Sequence, residues 1–310
     1  MILIPAFLLL QWGLTLFEYL HMDITQFVYF TPDALAVIFL SVLSVVVVPA
    51  FYHSFIYLGK HPYKPREQGM FFAAMVFLTT SLSAAYLSNH IGITWVFVEL
   101  TTLSASALIY HRRNKLVLEG TWKYIFICSI SITLVFIGVL FVTVAVQQAG
   151  IEDLFYKSLS LNAPKLNVFW LKLAFLFIFT GFTAKAGLVP MYTAGIDAKD
   201  QAPYPAGALL ASVLMNAGFI GIFRFYEITS HSGIFRWTNT ILIISGVLSV
   251  FVAAVYMLRI KNIKRMMAYS GVEHMGIVMI GLACGGVGYY AASLHLILHS
   301  FAKPALFFRR

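Results

Sequence analysis

Long apolar stretches, separated by short polar segments, recur along the whole chain. A helix crosses a bilayer with roughly 20 apolar residues, and by that rule about ten stretches are long enough. They occupy residues 1–20, 33–58, 70–88, 91–110, 122–146, 168–190, 204–226, 238–259, 266–285 and 288–308. The pattern predicts an all-α, polytopic transmembrane helix bundle that forms a single domain over residues 1–310.

The composition leaves little room for a soluble domain. Hydrophobic residues make up 60% of the 310 residues and charged residues 11%, and the mean hydropathy is +0.86. With these proportions, a chain has too few polar residues to cover a hydrophobic core with a water-soluble surface. Cys128 and Cys284 lie in separate apolar stretches, so no disulfide, zinc or iron–sulfur framework is expected. The first stretch lacks a basic start and a cleavage pattern, so we expect a retained span.

The basic residues, which give a formal net charge of +9, fall in alternate short loops and at the end of the chain. They are Lys60, Lys64, Arg66, Arg112, Arg113, Lys115, Arg259, Lys261, Lys264, Arg265, Arg309 and Arg310. Because cytoplasmic loops retain Lys and Arg, both termini are expected to face the cytoplasm. The loop with Asp197, Lys199 and Asp200 is electrically mixed and favours neither side. Membrane topology therefore explains the positive net charge, and no nucleic-acid partner is expected. We expect a multi-pass protein of a prokaryotic cytoplasmic membrane.

Lys185 lies inside an otherwise apolar stretch. An ammonium group near the middle of a bilayer is costly, and it persists mainly where it faces a polar cavity, a partner or an ion path. Gly181, Gly187 and Pro190 flank this lysine, so the sequence predicts a helix that is broken near residues 181–190. Broken helices of this kind line cavities in transporters.

Glu99 is the next intramembrane charge, about eight residues into its stretch and therefore roughly 12 Å deep. Thr102, Ser106 and Tyr110 follow it at helical spacing, and this stripe of hydrogen-bonding groups would organise water toward the basic loop. The alternative is a structural carboxyl with small packing residues beside it. If Glu99 faces Lys185, the two charges respond to each other, as proton transfer requires.

The last apolar stretch places His295, His299 and Lys303 at i, i+4 and i+8, on one helix face. Three titratable groups in a row favour an ion path. A metal site is not expected, since only the two histidines can be ligands and no carboxylate or thiol accompanies them. Glu273 and His274 are further relay candidates, with salt bridges to the nearby basic residues as the alternative.

Four motifs resemble one known family, the antiporter-like subunits shared by respiratory complex I, group 4 membrane-bound hydrogenases and Mrp-type cation/proton antiporters. They are VFVEL at 96–100, TAKAGLVPMYTAGIDAKDQAPYPAGALLASVLMNAG at 183–218, NIKRMMAYSGVEHMG at 262–276 and LHLILHSFAKPALFF at 294–308. Asn216 and the string VEHMG are most similar to hydrogenase-4 F-type subunits.

The resemblance implies roles for single residues. Glu99 matches the glutamate of the family's fifth helix, and Lys185 matches the lysine of its broken seventh helix, which together form the pumping pair. The polar residues of the last stretch match the family's eleventh helix. Asn216 stands where many members have a lysine or histidine that passes protons toward the centre, so this chain departs from the pattern there.

The resemblance also implies an architecture of inverted repeats. A complete five-helix repeat is expected at about residues 70–226 and part of its inverted mate at about 238–308, with the ion path between them. Family members have about fourteen spans against about ten here, so the chain is expected to be truncated at both ends. The second broken helix, its exit-side lysine or glutamate and the long lateral helix would then be absent.

By this resemblance, the chain is expected to be a proton-translocating membrane subunit of a hydrogenase or NADH:quinone oxidoreductase (complex I-like) assembly. Its partners would be the other membrane and peripheral subunits, protons and the lipid bilayer. Redox chemistry would occur elsewhere, and we expect neither catalysis nor a flavin, nickel or iron cofactor in this chain. The alternatives are an Mrp-type sodium/proton antiporter subunit and a non-pumping scaffold or fragment.

Overall fold

The computed structural model describes residues 3–22 and 28–308, which form helices and connecting turns without a named β-strand. The helices are α1 (Leu3–Leu20), α2 (Ala34–Gly59), α3 (Pro65–Leu87), α4 (Ile91–Ile109), α5 (Lys115–Gln148), α6 (Tyr156–Asn162), α7 (Val168–Ala186), α8 (Thr193–Gln201), α9 (Tyr204–Leu210), α10 (Val213–Ser230), α11 (Phe235–Met257), α12 (Ile263–Cys284) and α13 (Val287–Phe308). Single turns of 3₁₀ helix follow α4 and α6.

Ten segments of the described chain are long and apolar enough to cross a membrane, which confirms the predicted all-α bundle of ten spans. α9 and α10 together make one of these segments, Tyr204–Ser230, whereas α6 and α8 are too short. The chain is therefore an integral, multi-pass membrane protein. Residues 1 and 2 of the first predicted span, and the basic pair Arg309 and Arg310, lie outside the described residues.

Polar side chains at the helix starts explain why several spans begin where they do. The first amide groups of a helix have no partner within it, so a side-chain acceptor just before the helix stabilises it. Asp33 accepts from the amide of Ala36 at 2.7 Å at the start of α2. Asn114 does the same for α5 at 2.8 Å. His90, through Nδ1, accepts from Gly92 at 3.1 Å to begin α4.

The predicted break after Lys185 is present. α7 ends at Ala186, and Gly187 follows with a φ of 77°, a left-handed conformation that glycine adopts without steric cost. The backbone groups freed at the break find partners on α11. Ser249 accepts from the amide of Val189 at 2.9 Å, and Ser245 donates to its carbonyl at 2.6 Å. Such partners are what irregular backbone needs at membrane depth.

A second interruption, between α9 and α10, was not predicted from the sequence. The helical path stops at Ser212, whose φ is −127° and ψ is −94°. Its hydroxyl donates back to the carbonyl of Ala208 at 2.7 Å. The hydroxyl of Tyr86 on α3 donates to the carbonyl of Val213 at 2.6 Å. A side chain from another helix therefore forms a hydrogen bond with a backbone carbonyl next to the interruption.

The helix α10 lies in the interior, with most of its residues buried, whereas α1 lies at the periphery with an apolar outer face. Large exposed apolar side chains on the outer helices suit a lipid environment. Small residues let the spans approach closely. At the α11–α12 contact, a methyl group built on Gly246 would lie 2.8 Å from the carbonyl oxygen of Gly276.

Candidate functional site

Lys185 lies in the last turn of α7, immediately before the break, and its side chain is buried, with the residue 6% exposed. The ammonium group donates to the hydroxyl of Thr102 at 2.6 Å, to that of Tyr124 at 3.2 Å and to that of Thr101 at 3.3 Å. It also lies 5.4 Å from the centre of the Tyr124 ring. Three hydroxyl acceptors and a ring face therefore surround the charge, and no carboxylate of the described residues forms an ion pair with it.

Glu99 and Lys185 are joined through one hydroxyl group. The Thr102 hydroxyl donates to Oε2 of Glu99 at 3.1 Å and accepts from Lys185 at 2.6 Å. A hydroxyl can do both at once, so the two charges are linked by a chain of two hydrogen bonds. We call Glu99, Thr102 and Lys185 the bridged triad. In the described part of the chain, no direct ion pair joins its two charged members.

The stripe predicted beyond Glu99 is only partly brought together. Thr102 is buried within the bridged triad. Ser106, half-buried, donates to the carbonyl of Leu103 in its own helix at 2.7 Å. Tyr110 lies in the 3₁₀ turn after α4 and is 38% exposed. The predicted water path along Ser106 and Tyr110 stays a prediction.

The three titratable residues of α13 lie on one face, and α12 adds a fourth. Nε2 of His295 is 2.9 Å from Nδ1 of His274, so one of these nitrogens carries the shared proton. The rings of His274 and His299 are 5.2 Å apart between centroids. Lys303, 3% exposed, donates to the carbonyl of Met267 at 3.0 Å. We call His274, His295, His299 and Lys303 the α13 row.

His299 is the most isolated member of this row. It is 5% exposed, and neither ring nitrogen has a hydrogen-bond partner in the described chain. A buried polar atom without a partner is costly and calls for an explanation such as water or a transfer role. His274 packs against the rings of His295 and His299, and its role as a relay stays a prediction. Its neighbour Glu273 is half-buried and forms no ion pair within the described residues.

Asn216, on the interior helix α10, is paired with Ser300. Its amide nitrogen donates to the Ser300 hydroxyl at 2.9 Å, and that hydroxyl reaches the amide oxygen at 3.1 Å. Both side chains are fully buried. The contact links α10 to α13, but an amide does not titrate, so the pair carries no exchangeable charge.

One buried cation was missed by the sequence reasoning. Lys199, placed there in an electrically mixed loop, lies in the short helix α8 and is 3% exposed. Its ammonium group is 3.1 Å from the sulfur of Met215. The sequence shows one cation between two anions, Asp197 and Asp200, and we interpreted the three as one mixed loop. Helical spacing was the available signal, since residues 197 and 199 point to different sides of a helix.

Two further cationic residues, Lys172 and Arg224, form contacts outside the bridged triad and the α13 row. Lys172, near the start of α7, lies 5.4 Å from the centre of the Trp237 ring. Arg224 is buried and forms an ion pair with Asp33 at 2.8 Å. It also donates to the carbonyl of Tyr86 at 2.9 Å. These contacts join α10 to the start of α2 and to the last turn of α3.

The fold and its interior define the class. A multi-pass bundle with a broken helix, a buried lysine at the break and a further row of buried titratable groups is an antiporter-like membrane subunit. Residues 88–309 match the family described as "NADH:quinone oxidoreductase/Mrp antiporter, TM". The chain belongs to this family, and the resemblance inferred from the motifs is confirmed.

Two curated relatives illustrate the family. The "Hydrogenase-4 component F homolog" of Methylacidiphilum infernorum is 31% identical over 235 residues, covering 74% of this chain and 49% of the relative. "Hydrogenase-4 component B" of Escherichia coli is 27% identical over 312 residues, covering 93% of this chain and 45% of the relative. The chain thus spans about half the length of the curated relatives it matches.

The fold is also that of a solved membrane complex. A chain of the "membrane-bound sulfane sulfur reductase (MBS), an archaeal respiratory membrane complex" superimposes with a TM-score of 0.85 and 22% sequence identity. The match covers 98% of this chain and 64% of that one. At this identity the likeness concerns the fold alone.

Proposed function

We propose that this chain translocates protons as a membrane subunit of a hydrogenase or complex I-like assembly, with redox chemistry taking place in other subunits. The bridged triad is the observation that carries the proposal. Glu99 and Lys185 lie within a membrane bundle, and charges at such depth usually serve an ion path. The relatives named as hydrogenase-4 components support the choice of assembly.

The triad suggests how protonation of Glu99 affects the proton on Lys185. When Glu99 is ionised, the Thr102 hydroxyl donates to it and presents its lone pairs to Lys185. When Glu99 takes up a proton, its carboxyl group becomes a weaker hydrogen-bond acceptor, and the Thr102 hydroxyl is free to rotate. Lys185 then loses part of the electrostatic support for its own proton. A proton gained at Glu99 therefore favours release of a proton from Lys185 toward the centre.

The α13 row provides onward acceptors. His274 and His295 share a hydrogen bond, and His299 has free ring nitrogens close to His274. Neutral imidazole accepts a proton at one nitrogen and releases one from the other, so such a row passes protons without moving its atoms far. Lys303, one turn beyond His299, ends this row. Glu273 is a secondary relay candidate beside it.

The finer assignments belong to the same proposal. The chain is a non-catalytic subunit of a cytoplasmic membrane with both described ends on the cytoplasmic side. The complete first repeat lies at about residues 70–226 and the partial second repeat at about 238–308. Ser245 and Ser249 of the second repeat contact the backbone at the break after α7. Partners are the remaining membrane and peripheral subunits of the assembly.

The first experiment compares Lys185→Met with Lys172→Met in the assembled complex. Both changes remove one ammonium group from α7, but only Lys185 contacts the bridged triad. Redox-driven acidification of inverted membrane vesicles should be lost with Lys185→Met and retained with Lys172→Met. Equal pumping by both variants, at equal amounts of assembled complex, would count against the proposal.

A sodium/proton antiporter subunit is the second candidate, because the family description itself includes Mrp antiporters. The same triad would serve both functions, so the exchanged ion must be measured. Vesicles with a fixed pH gradient and a varied sodium gradient separate the two. Proton movement that depends on sodium favours the antiporter, and proton movement that depends only on redox turnover favours the pump. A chain that shows neither is a scaffold.

A further inference from the structure

A groove lies between α1, α2 and α3, at the end of the bundle where α2 connects to α3. It encloses about 1100 Å³ and is lined mainly by apolar side chains and glycines. Phe7 of α1, Phe55 of α2 and Phe77 of α3 are among the lining residues. A methyl group built on Gly59 or on Gly69 would meet nothing within 4 Å. None of the described side chains fills the groove at these two glycines.

The three helices that form the groove are held together by contacts beside it. Gln11, one turn after Phe7 on α1, donates to the Ser44 hydroxyl at 3.2 Å and to the Ser83 hydroxyl at 3.1 Å. The ring of Phe51 on α2 lies 5.8 Å from that of Phe7 between centroids. These contacts fix α1 against α2 and α3, so the groove is a preformed feature of the fold.

The groove is long and narrow. On α3 it extends from Pro65 to Thr80, and these 15 positions correspond to about 22 Å along the helix axis. One leaflet of a bilayer has a hydrocarbon layer about 15 Å deep, half of the hydrocarbon core, so the groove accommodates an extended acyl chain. A helix about 10 Å across would occupy roughly 1,700 Å³ over the same length, which exceeds the volume of the groove. The dimensions therefore favour an acyl chain over a protein helix.

The end of the groove at the α2–α3 loop is bordered by basic residues. Lys60 caps the end of α2, and Lys64 precedes α3. Lys64 and Arg66 also line, together with Arg113, a polar cavity of about 370 Å³ beside the first turn of α3. The one carboxylate that lines this cavity is that of Glu67, which pairs with Arg113 at 3.5 Å. Within residues 3–22 and 28–308, Lys60, Lys64 and Arg66 form no ion pair, so positive charge is in excess here.

We propose that the groove binds an anionic phospholipid, with an acyl chain between α1, α2 and α3 and the phosphate group at Lys60, Lys64 and Arg66. The apolar lining suits hydrocarbon, and basic residues next to a membrane span attract anionic headgroups. Their ammonium and guanidinium groups donate charge-assisted hydrogen bonds to phosphate oxygens. The bound lipid would fill the space over Gly59 and Gly69 that the protein leaves open. This proposal does not rest on the proton-translocating function above.

The test uses the assembled complex in phosphatidylcholine vesicles that contain a phosphatidylglycerol probe with a photoreactive diazirine in its acyl chain. Irradiation attaches the probe to nearby residues, and mass spectrometry of peptides locates the adducts. We expect saturable labelling within residues 3–7 of α1 and 68–80 of α3. A phosphatidylcholine probe of the same chain length should require about a tenfold or higher mole fraction for equal labelling, because its headgroup has no net charge. Equal labelling by the two probes would overturn the proposal.

The double variant Lys64→Gln/Arg66→Gln tests the headgroup contacts. It should raise the mole fraction of phosphatidylglycerol probe that gives half-maximal labelling about tenfold or more, since two attractive charges are lost. Arg259→Gln/Lys261→Gln is the matched control, because it removes two exposed charges from a loop that does not line the groove. An unchanged labelling curve with Lys64→Gln/Arg66→Gln would overturn the proposal.

Gly69→Phe tests the site of the acyl chain. The new ring enters the space over Gly69, so labelling within the groove should be lost, whereas Gly13→Phe, on α1 outside the groove, should leave it unchanged. If Gly69→Phe fails to assemble, the exposed Lys64→Gln/Arg66→Gln pair decides. Absence of groove adducts in the parent complex would overturn the proposal, as would a cross-link that shows a protein segment in the groove. Labelling requires no redox turnover, so its outcome is independent of whether the chain translocates protons.

Discussion

Thr102→Val removes the one hydroxyl group that joins Lys185 to Glu99 and leaves a side chain of nearly the same shape. Valine has no polar atom, so the 2.6 Å bond from Lys185 and the 3.1 Å bond to Glu99 are both lost. Thr102 is fully buried, and water does not replace the hydroxyl without rearrangement of α4. The change therefore tests the bridge without removing either charge.

The magnitude follows from the two hydrogen bonds. A hydrogen bond to a charged group contributes about 1.5–3 kcal/mol. Lys185 keeps Tyr124 and Thr101 as acceptors, so about one such bond is lost in net terms. The coupling between the two charges should weaken by about 1.5–3 kcal/mol, which is roughly ten- to a hundredfold in an equilibrium constant.

The assay is redox-driven proton translocation at matched amounts of assembled complex, with Thr79→Val as control. Thr79 is equally buried, but its hydroxyl donates to the carbonyl of Met75 in its own helix at 2.9 Å. Translocation should fall about ten- to a hundredfold with Thr102→Val and stay near the parental rate with Thr79→Val. Equal rates for the two variants would refute the claim that Thr102 couples the charges.

Two further predictions concern the stability of the bundle, measured as the thermal midpoint of the purified complex in detergent. Gly276→Val should destabilise the α11–α12 contact by about 1–3 kcal/mol, since its Cβ would lie 2.7 Å from the Gly246 carbonyl oxygen. Gly13→Val, whose Cβ would meet nothing within 4 Å, should change the midpoint much less. Arg224→Met should cost about 1–3 kcal/mol because the Tyr86 carbonyl loses its donor. The exposed Arg236→Met is its control, and an equal loss in both arginine variants would contradict this explanation.

The spans and the first break were predictable because they depend on local properties. Run length and hydropathy give the ten spans, and the two glycines and the proline around Lys185 give the end of α7. The interruption at Ser212 was not predictable in this way, because it involves Tyr86 from a distant helix. Local patterns carry no information on which side chain reaches a given carbonyl.

In the candidate site, too, local features were predictable and contacts between helices were not. Intramembrane depth identifies Glu99 and Lys185 as unusual residues, since charge at that depth needs a reason. Helical spacing placed Thr102 beside Glu99, but not the contact with Lys185, which joins α4 to α7. Lys199 was missed because three charged residues within four positions resemble a solvent-exposed loop. The packing of α8 and the contact with Met215 show that this lysine is buried.

The central claim is that Glu99 carries protons in a redox-driven pump. The most direct measurement is the number of protons translocated per electron by the assembled complex with Glu99→Gln, beside Glu152→Gln as a control for an exposed loop carboxylate. Glutamine keeps the shape and can still accept from Thr102, but it cannot titrate. We expect no coupled translocation with Glu99→Gln and the parental ratio with Glu152→Gln. A parental ratio in both variants would contradict the account.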